Sequence, residues 1–154
     1  MSDLLVIDEW LWADLSGDNE DDKPGSQKEA IGFLQKVFKK CDRFVIVRGS
    51  PFANKIYQFF KKAQERRQKE IANFFTAEFL HNSKKSHIIE QAELAVLPEA
   101  ISRNVKQEDH YLAQAYFAAT AKVIITTDGP LKKTLSQNQI PCELRDDFLA
   151  KYPG

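Results

Sequence analysis

The stretch that most limits what this chain can fold into is Lys122-Val123-Ile124-Ile125-Thr126-Thr127-Asp128-Gly129-Pro130. Three β-branched apolar residues lead into two threonines, and an aspartate stands where the run stops. Branching at Cβ suits extended backbone, and a continuous apolar run between helical patterns reads as a parallel strand buried on both faces. Gly129-Pro130 ends the strand and opens a helix, with Pro130 suited to the first helical turn. An acid at the carboxyl end of such a strand lies at the edge where parallel sheets bind ligands. Asp128 is therefore the first candidate for function. Leu4-Leu5-Val6-Ile7-Asp8 has the same form. If the two strands are parallel neighbours, their aspartates share one edge.

The remaining segments supply helices and further strands. Glu9-Trp10-Leu11-Trp12-Ala13-Asp14-Leu15 predicts the first turns of a helix on the sheet. Trp10 and Trp12 read as core aromatics, or as a platform on which one of them stacks a base near Asp8. Ser26-Gln27-Lys28-Glu29 has the capping-box spacing and opens a helix with Ala30, Ile31, Leu34, Val37 and Phe38 on one face. Arg43 to Arg48 predicts a second strand, and Ser50-Pro51 caps the helix that follows. From Phe52 to Asn82 there is no proline or glycine. One helix of roughly 30 residues would span about 45 Å, so it either projects or breaks near Arg66. Its polar middle carries Lys61, Lys62, Arg66, Arg67 and Lys69, which form a solvated face or a patch that contacts phosphates.

Lys84-Lys85-Ser86 predicts a surface turn, followed by a helix from His87 to Leu97 and a short one from Pro98 to Val105. Lys106-Gln107-Glu108-Asp109-His110 opens an amphipathic helix, with Asp109 in its first turn, where the helix dipole favours any acid. Ile140 to Leu144 predicts a last strand, and Asp146-Asp147-Phe148-Leu149 a closing helical turn. The order of elements predicts an α/β fold, a three-layer α/β/α sandwich on a mainly parallel sheet of about four to five strands. The expected organisation is a single domain spanning residues 1–154.

Composition narrows the function classes. Lysine plus arginine and aspartate plus glutamate each number 22, so no overall field draws the chain to nucleic acid. Cys41 and Cys142 have no CxxC spacing and read as reduced thiols of a cytoplasmic protein. The apolar runs are too short to span a membrane. His81, His87 and His110 share no ligand spacing. Asp18, Glu20, Asp22 and Glu29 loosely follow a calcium loop, but Lys23 stands where that motif needs glycine, and a mobile solvated loop is expected instead. There is no GxGxxG after the first strand, no GxxxxGK[ST] and no nucleophile elbow. What remains is a set of acids at strand ends and helix starts. Clustered carboxylates raise one another's pKa unless a cation neutralises them, and Mg²⁺ takes such oxygen ligands. Two such ions activate water and stabilise the leaving oxygen in phosphodiester cleavage.

With these residues in view, the chain resembles the PIN-domain ribonucleases. The resemblance rests on Leu5-Val6-Ile7-Asp8, on the D-x-x-L-A-x-A start at Asp109-His110-Tyr111-Leu112-Ala113-Gln114-Ala115, and on T-x-D-x-x-L at Thr126 to Leu131. It covers the whole chain in order, with most weight in the second half. It implies a metal-dependent endoribonuclease acting on single-stranded RNA, with Asp8, Asp109 and Asp128 holding Mg²⁺ or Mn²⁺. Thr126 would orient a carboxylate or the attacking water. The resemblance also implies the toxin of a toxin–antitoxin pair, with an antitoxin or other protein partner and a homodimeric state. The chain departs from the family in three places. Glu9-Trp10 follows the first aspartate, where the family has threonine and a small polar residue. Phe52 to Tyr57 carries Lys55 but no acid, and Pro130 stands where a further acid is usual. Glu9 or Glu108 can substitute for the missing acid, or Lys55 can neutralise the cluster without metal. The alternative is thus a degenerate PIN-like domain that binds RNA or a protein without cleavage.

Overall fold

In the computed structural model, which describes residues 2–63 and 65–153, five strands form one all-parallel sheet. They are β1 (Leu4–Ile7), β2 (Arg43–Val47), β3 (Ser86–Ile89), β4 (Val123–Thr126) and β5 (Cys142–Leu144). The spatial order is β3-β2-β1-β4-β5. The chain winds outward from β1 through β2 to β3, then crosses back to β4 and β5, so the order reverses between β1 and β4. Val6 lies opposite Ile124 and Ile7 opposite Ile125, which makes the two aspartate-terminated strands central neighbours.

Strand periodicity sorts the core into two halves, because successive side chains point to opposite faces. Leu5, Ile7, Phe44, Ile46, Val123 and Ile125 pack on one side. That layer holds α1 (Trp10–Ser16), α2 (Ser26–Lys39), α3 (Pro51–Lys62), α4 (Arg66–Phe75) and α8 (Arg145–Lys151). Val6, Val45, Val47, Ile89 and Ile124 face the other side. This second layer holds α5 (Glu99–Ser102), α6 (His110–Ala119) and α7 (Gly129–Gln137). The three-layer α/β/α sandwich follows directly from these two apolar faces.

Several local expectations hold. The Ser50 hydroxyl accepts from the Ala53 amide at 3.2 Å and caps α3, with Pro51 in its first turn. The glycine- and proline-free stretch breaks, with α3 ending at Lys62 and α4 starting at Arg66; Ala63 and Glu65 have extended backbone, and Gln64 lies outside the described residues. Trp10 and Trp12 are core residues: the Trp10 indole donates to the Ile125 carbonyl at 3.0 Å, and Trp12 packs against Phe52, Phe59 and Phe75. Their rings are too buried to stack an incoming base.

Four expectations need correction. The helix expected from His87 to Leu97 is strand β3 over Ser86–Ile89, and a single 3₁₀ turn follows over Gln91–Glu93. Ile88 and Ile89 are β-branched, and pairing with β2 fixes them as a sheet edge. The helix expected from Pro98 to Val105 is regular only over Glu99–Ser102. Lys85 is not a surface turn residue. It is buried, and its ammonium donates to the Val37 carbonyl at 2.9 Å and to the Lys40 carbonyl, satisfying the end of α2. The start of α2 is likewise not a Ser26 capping box, because Glu20 in the preceding loop accepts from the Gly25 and Gln27 amides at 3.0 and 2.8 Å. Residues 17–25 form successive turns held by these bonds. Among the described residues no helix is long and apolar enough to cross a membrane.

Candidate active site

Open parallel sheets bind ligands at the carboxyl ends of the strands where the order reverses, here the crevice beyond β1 and β4. Asp8 follows β1 and Asp128 follows β4, so both stand at that crevice. Continuing the alternation of the strands, Asp8 and Thr126 fall on the side of Val6 and Ile124. That is the side covered by α6, whose first residue follows Asp109.

Hydrogen bonds fix the first two acids. Fully buried Thr126 donates its hydroxyl to one Asp8 carboxylate oxygen at 2.7 Å, and the Glu9 amide donates to the other at 2.7 Å. The Thr126 hydroxyl also accepts from the Asp128 amide at 3.1 Å, so one side chain ties the ends of both strands together. The Asp8 amide donates to the Ile125 carbonyl at 3.0 Å and extends the ladder past β1. Asp128 is the N-cap of α7, its carboxylate accepting from the Leu131 amide at 3.0 Å. A capping role therefore accounts for an acid or amide at this position without any ligand.

Asp109 differs from both. It stands at the N-cap position of α6 yet makes no side-chain cap bond. Burial first, and then the charges of Asp8 and Asp128, push its carboxyl up to about 6. The charges of both strand-end carboxylates thus reach Asp109 from distant parts of the sequence. Glu9 is a fourth acid in reach: burial and the Asp8 charge raise it, while the Lys55 ammonium draws it back. Glu108 acts on Asp109 but is exposed, so Glu9 is the better placed of the two substitutes. Lys55, from the start of α3, faces Glu9 at the margin of the cluster.

Tyr111 was not among the sequence candidates. Its hydroxyl oxygen is buried and makes no hydrogen bond of ordinary geometry, the approach of the Phe52 amide apart. Burial and the charges of Asp8, Glu9 and Asp109 hold the phenol well above its usual range. The one available sequence signal is its position two residues after Asp109. The basic cluster does not form one patch. Lys62 lines a groove that begins at Glu9, whereas Arg66 pairs with Glu70 at 3.1 Å. Arg67 lines a separate hollow over α2 with Ile31, Leu34 and Phe74. Lys61 and Lys69 are exposed.

Among the described residues no three acidic, histidine or cysteine side chains are gathered as a ready-made metal cage. The donor set suits Mg²⁺ or Mn²⁺ held by one or two carboxylates, with water and phosphate oxygens completing the shell. It does not suit a four-ligand structural zinc site. No protein-family model matches the chain, and no curated protein is significantly similar to it.

Proposed function

We propose that this protein is a metal-dependent endoribonuclease of the PIN-domain kind that cuts single-stranded RNA. The observation that supports it most is that Asp8 and Asp128 stand side by side at the switch point of a parallel sheet and that both charges act on Asp109 at the start of α6. Capping accounts for Asp128 alone and the helix dipole for Asp109 alone, but neither calls for their charges to act on one another, and that mutual repulsion is relieved by a cation. Mg²⁺ or Mn²⁺ bound by these three residues would activate water and stabilise the leaving oxygen. Thr126 holds Asp8 in one orientation, and the cap bond to Leu131 does the same for Asp128. The free lone pairs of both carboxylates are thereby kept for the ligand. The test is cleavage of a labelled single-stranded RNA by purified protein in Mg²⁺ or Mn²⁺. Loss of cutting in excess EDTA is the expected result, and cutting that persists in EDTA contradicts the reading.

Lys55 favours a second reading. A cation beside Glu9, where the resembled family has an acid, neutralises part of the cluster without metal. On that reading the domain is catalytically degenerate and binds RNA or a protein without cutting, and binding without cleavage in the same assay is its signature. We further propose, on the family resemblance, a cytoplasmic toxin of a toxin–antitoxin pair acting as a homodimer. Arrested growth on expression of the wild type but not of Asp128→Asn checks this; equal growth of both contradicts it.

A further inference from the structure

We infer that the groove between α1 and α3 is the path of the nucleic-acid strand, held through its phosphates by Lys55 and Lys62; this rests on the ribonuclease reading. The groove encloses about 390 Å³ and starts at Glu9, within the acid cluster. It runs along α3 to the break before α4, where the Gln68 side chain of α4 donates to the Ser16 carbonyl at 3.0 Å and Asp18 adds an acid to the lining. Lys55 and Lys62 both line it. They are seven residues apart on one helix, hence about 10 Å apart on nearly the same face. No salt bridge holds either lysine among the described residues, although the Lys55 charge acts on Glu9, and both are exposed. The nearby arginines do not line the groove: Arg66 is paired with Glu70, and Arg67 lines the separate hollow over α2. The aromatic floor, Trp12 and Phe59, is buried and offers no face for stacking. The groove balances Glu9 and Asp18 against the two lysines, so attraction to the backbone comes locally from Lys55 and Lys62, and with no stacking face binding is sequence-tolerant and salt-dependent.

The test uses the full chain carrying Asp128→Asn, so that bound strand stays intact, with labelled oligouridylate and oligoadenylate as probes across a salt series. The two probes should bind alike. Adding Lys55→Ala and Lys62→Ala should weaken binding about tenfold at roughly 0.1 M salt. It should also lower the slope of log affinity against log salt by about 1.4, the release expected for two contacts to a single strand. Arg66→Ala with Arg67→Ala should change neither quantity. Both pairs are exposed, and unchanged thermal unfolding confirms that the fold is kept. Binding indifferent to the two lysines overturns the groove assignment and leaves the nuclease reading standing. Lysine-dependent binding by a wild type that never cuts keeps the groove and removes the nuclease. A strong preference for one base overturns backbone-only recognition, and no binding at low salt overturns both readings.

Discussion

Asp109 bears most of the strain of the acid cluster. Its folded value lies near 6, against about 3.9 for an unfolded aspartate. Between those values the folded chain keeps a proton that the unfolded chain has lost, so stability falls as pH rises through about 4 to 6 and is level above. Asp109→Asn should therefore stabilise the metal-free protein at neutral pH, by about 1 kcal/mol after allowance for solvent screening. The gain should vanish below about pH 4, and thermal unfolding at both pH values measures it. A gain equal at both would mean that charge is not its cause. Thr126→Val keeps the shape of a buried side chain but removes the hydroxyl that holds Asp8. Cleavage should fall about tenfold or more, roughly 1.4 kcal/mol of barrier, and wild-type rates would remove Thr126 from the mechanism. The positions of Asp8 and Asp128 at the sheet edge were legible in the sequence because an apolar run that stops at an acid marks the end of a buried strand, whereas Thr126 was named only through the family resemblance. Asp109 was legible only through the family resemblance, since the helix dipole explains any acid at that place. Glu9 was named from the sequence only as one of two substitutes for a missing acid, and Tyr111 enters through tertiary packing alone.

At the scale of elements, capping decides where helices start. Ser50→Ala removes the bond to the Ala53 amide and should cost about 1 kcal/mol, read as a lower Tm; no change would show that the Phe52 packing alone sets the start of α3. That cap was legible because Ser-Pro follows a strand directly. The Glu20 cap of α2 was not, since its carboxylate reaches forward from a loop whose path the sequence does not specify. Strand β3 was missed for a related reason. Its four residues are too few to show a period, and their extended form comes from hydrogen bonding to β2, a tertiary effect that overrides local preference. Lys85 belongs with it. A lysine between another lysine and a serine looks like surface, and only the arrival of β3 beside the end of α2 buries it.

At the scale of the molecule, the layered α/β order was legible because apolar strands alternating with amphipathic helices admit few other arrangements. The tie between the two ends of the chain was not. Arg145, at the start of α8, is buried with Asp14 of α1, each 3% exposed, and meets its carboxylate at 2.8 Å. It also reaches the Ser26 carbonyl at 3.3 Å and lies over the Trp10 ring. Arg145→Met would strand the Asp14 charge in the core, at about 3–5 kcal/mol. Adding Asp14→Leu should restore much of that loss, and a double variant no better than the single would show that Arg145 acts through packing alone. This tie joins α8 to α1, the helix that directly follows Asp8 and whose Trp10 bonds to the Ile125 carbonyl of β4. The site itself is tested most directly by RNA cleavage in Mg²⁺, wild type against Asp128→Asn, with thermal unfolding of both. Asparagine keeps the cap of α7 and removes only charge. Cleavage should drop at least about 100-fold, roughly 3 kcal/mol of barrier, while the metal-free Tm stays level or rises. Equal cleavage by the two proteins would contradict the assignment of this acid cluster as a metal-dependent nuclease centre.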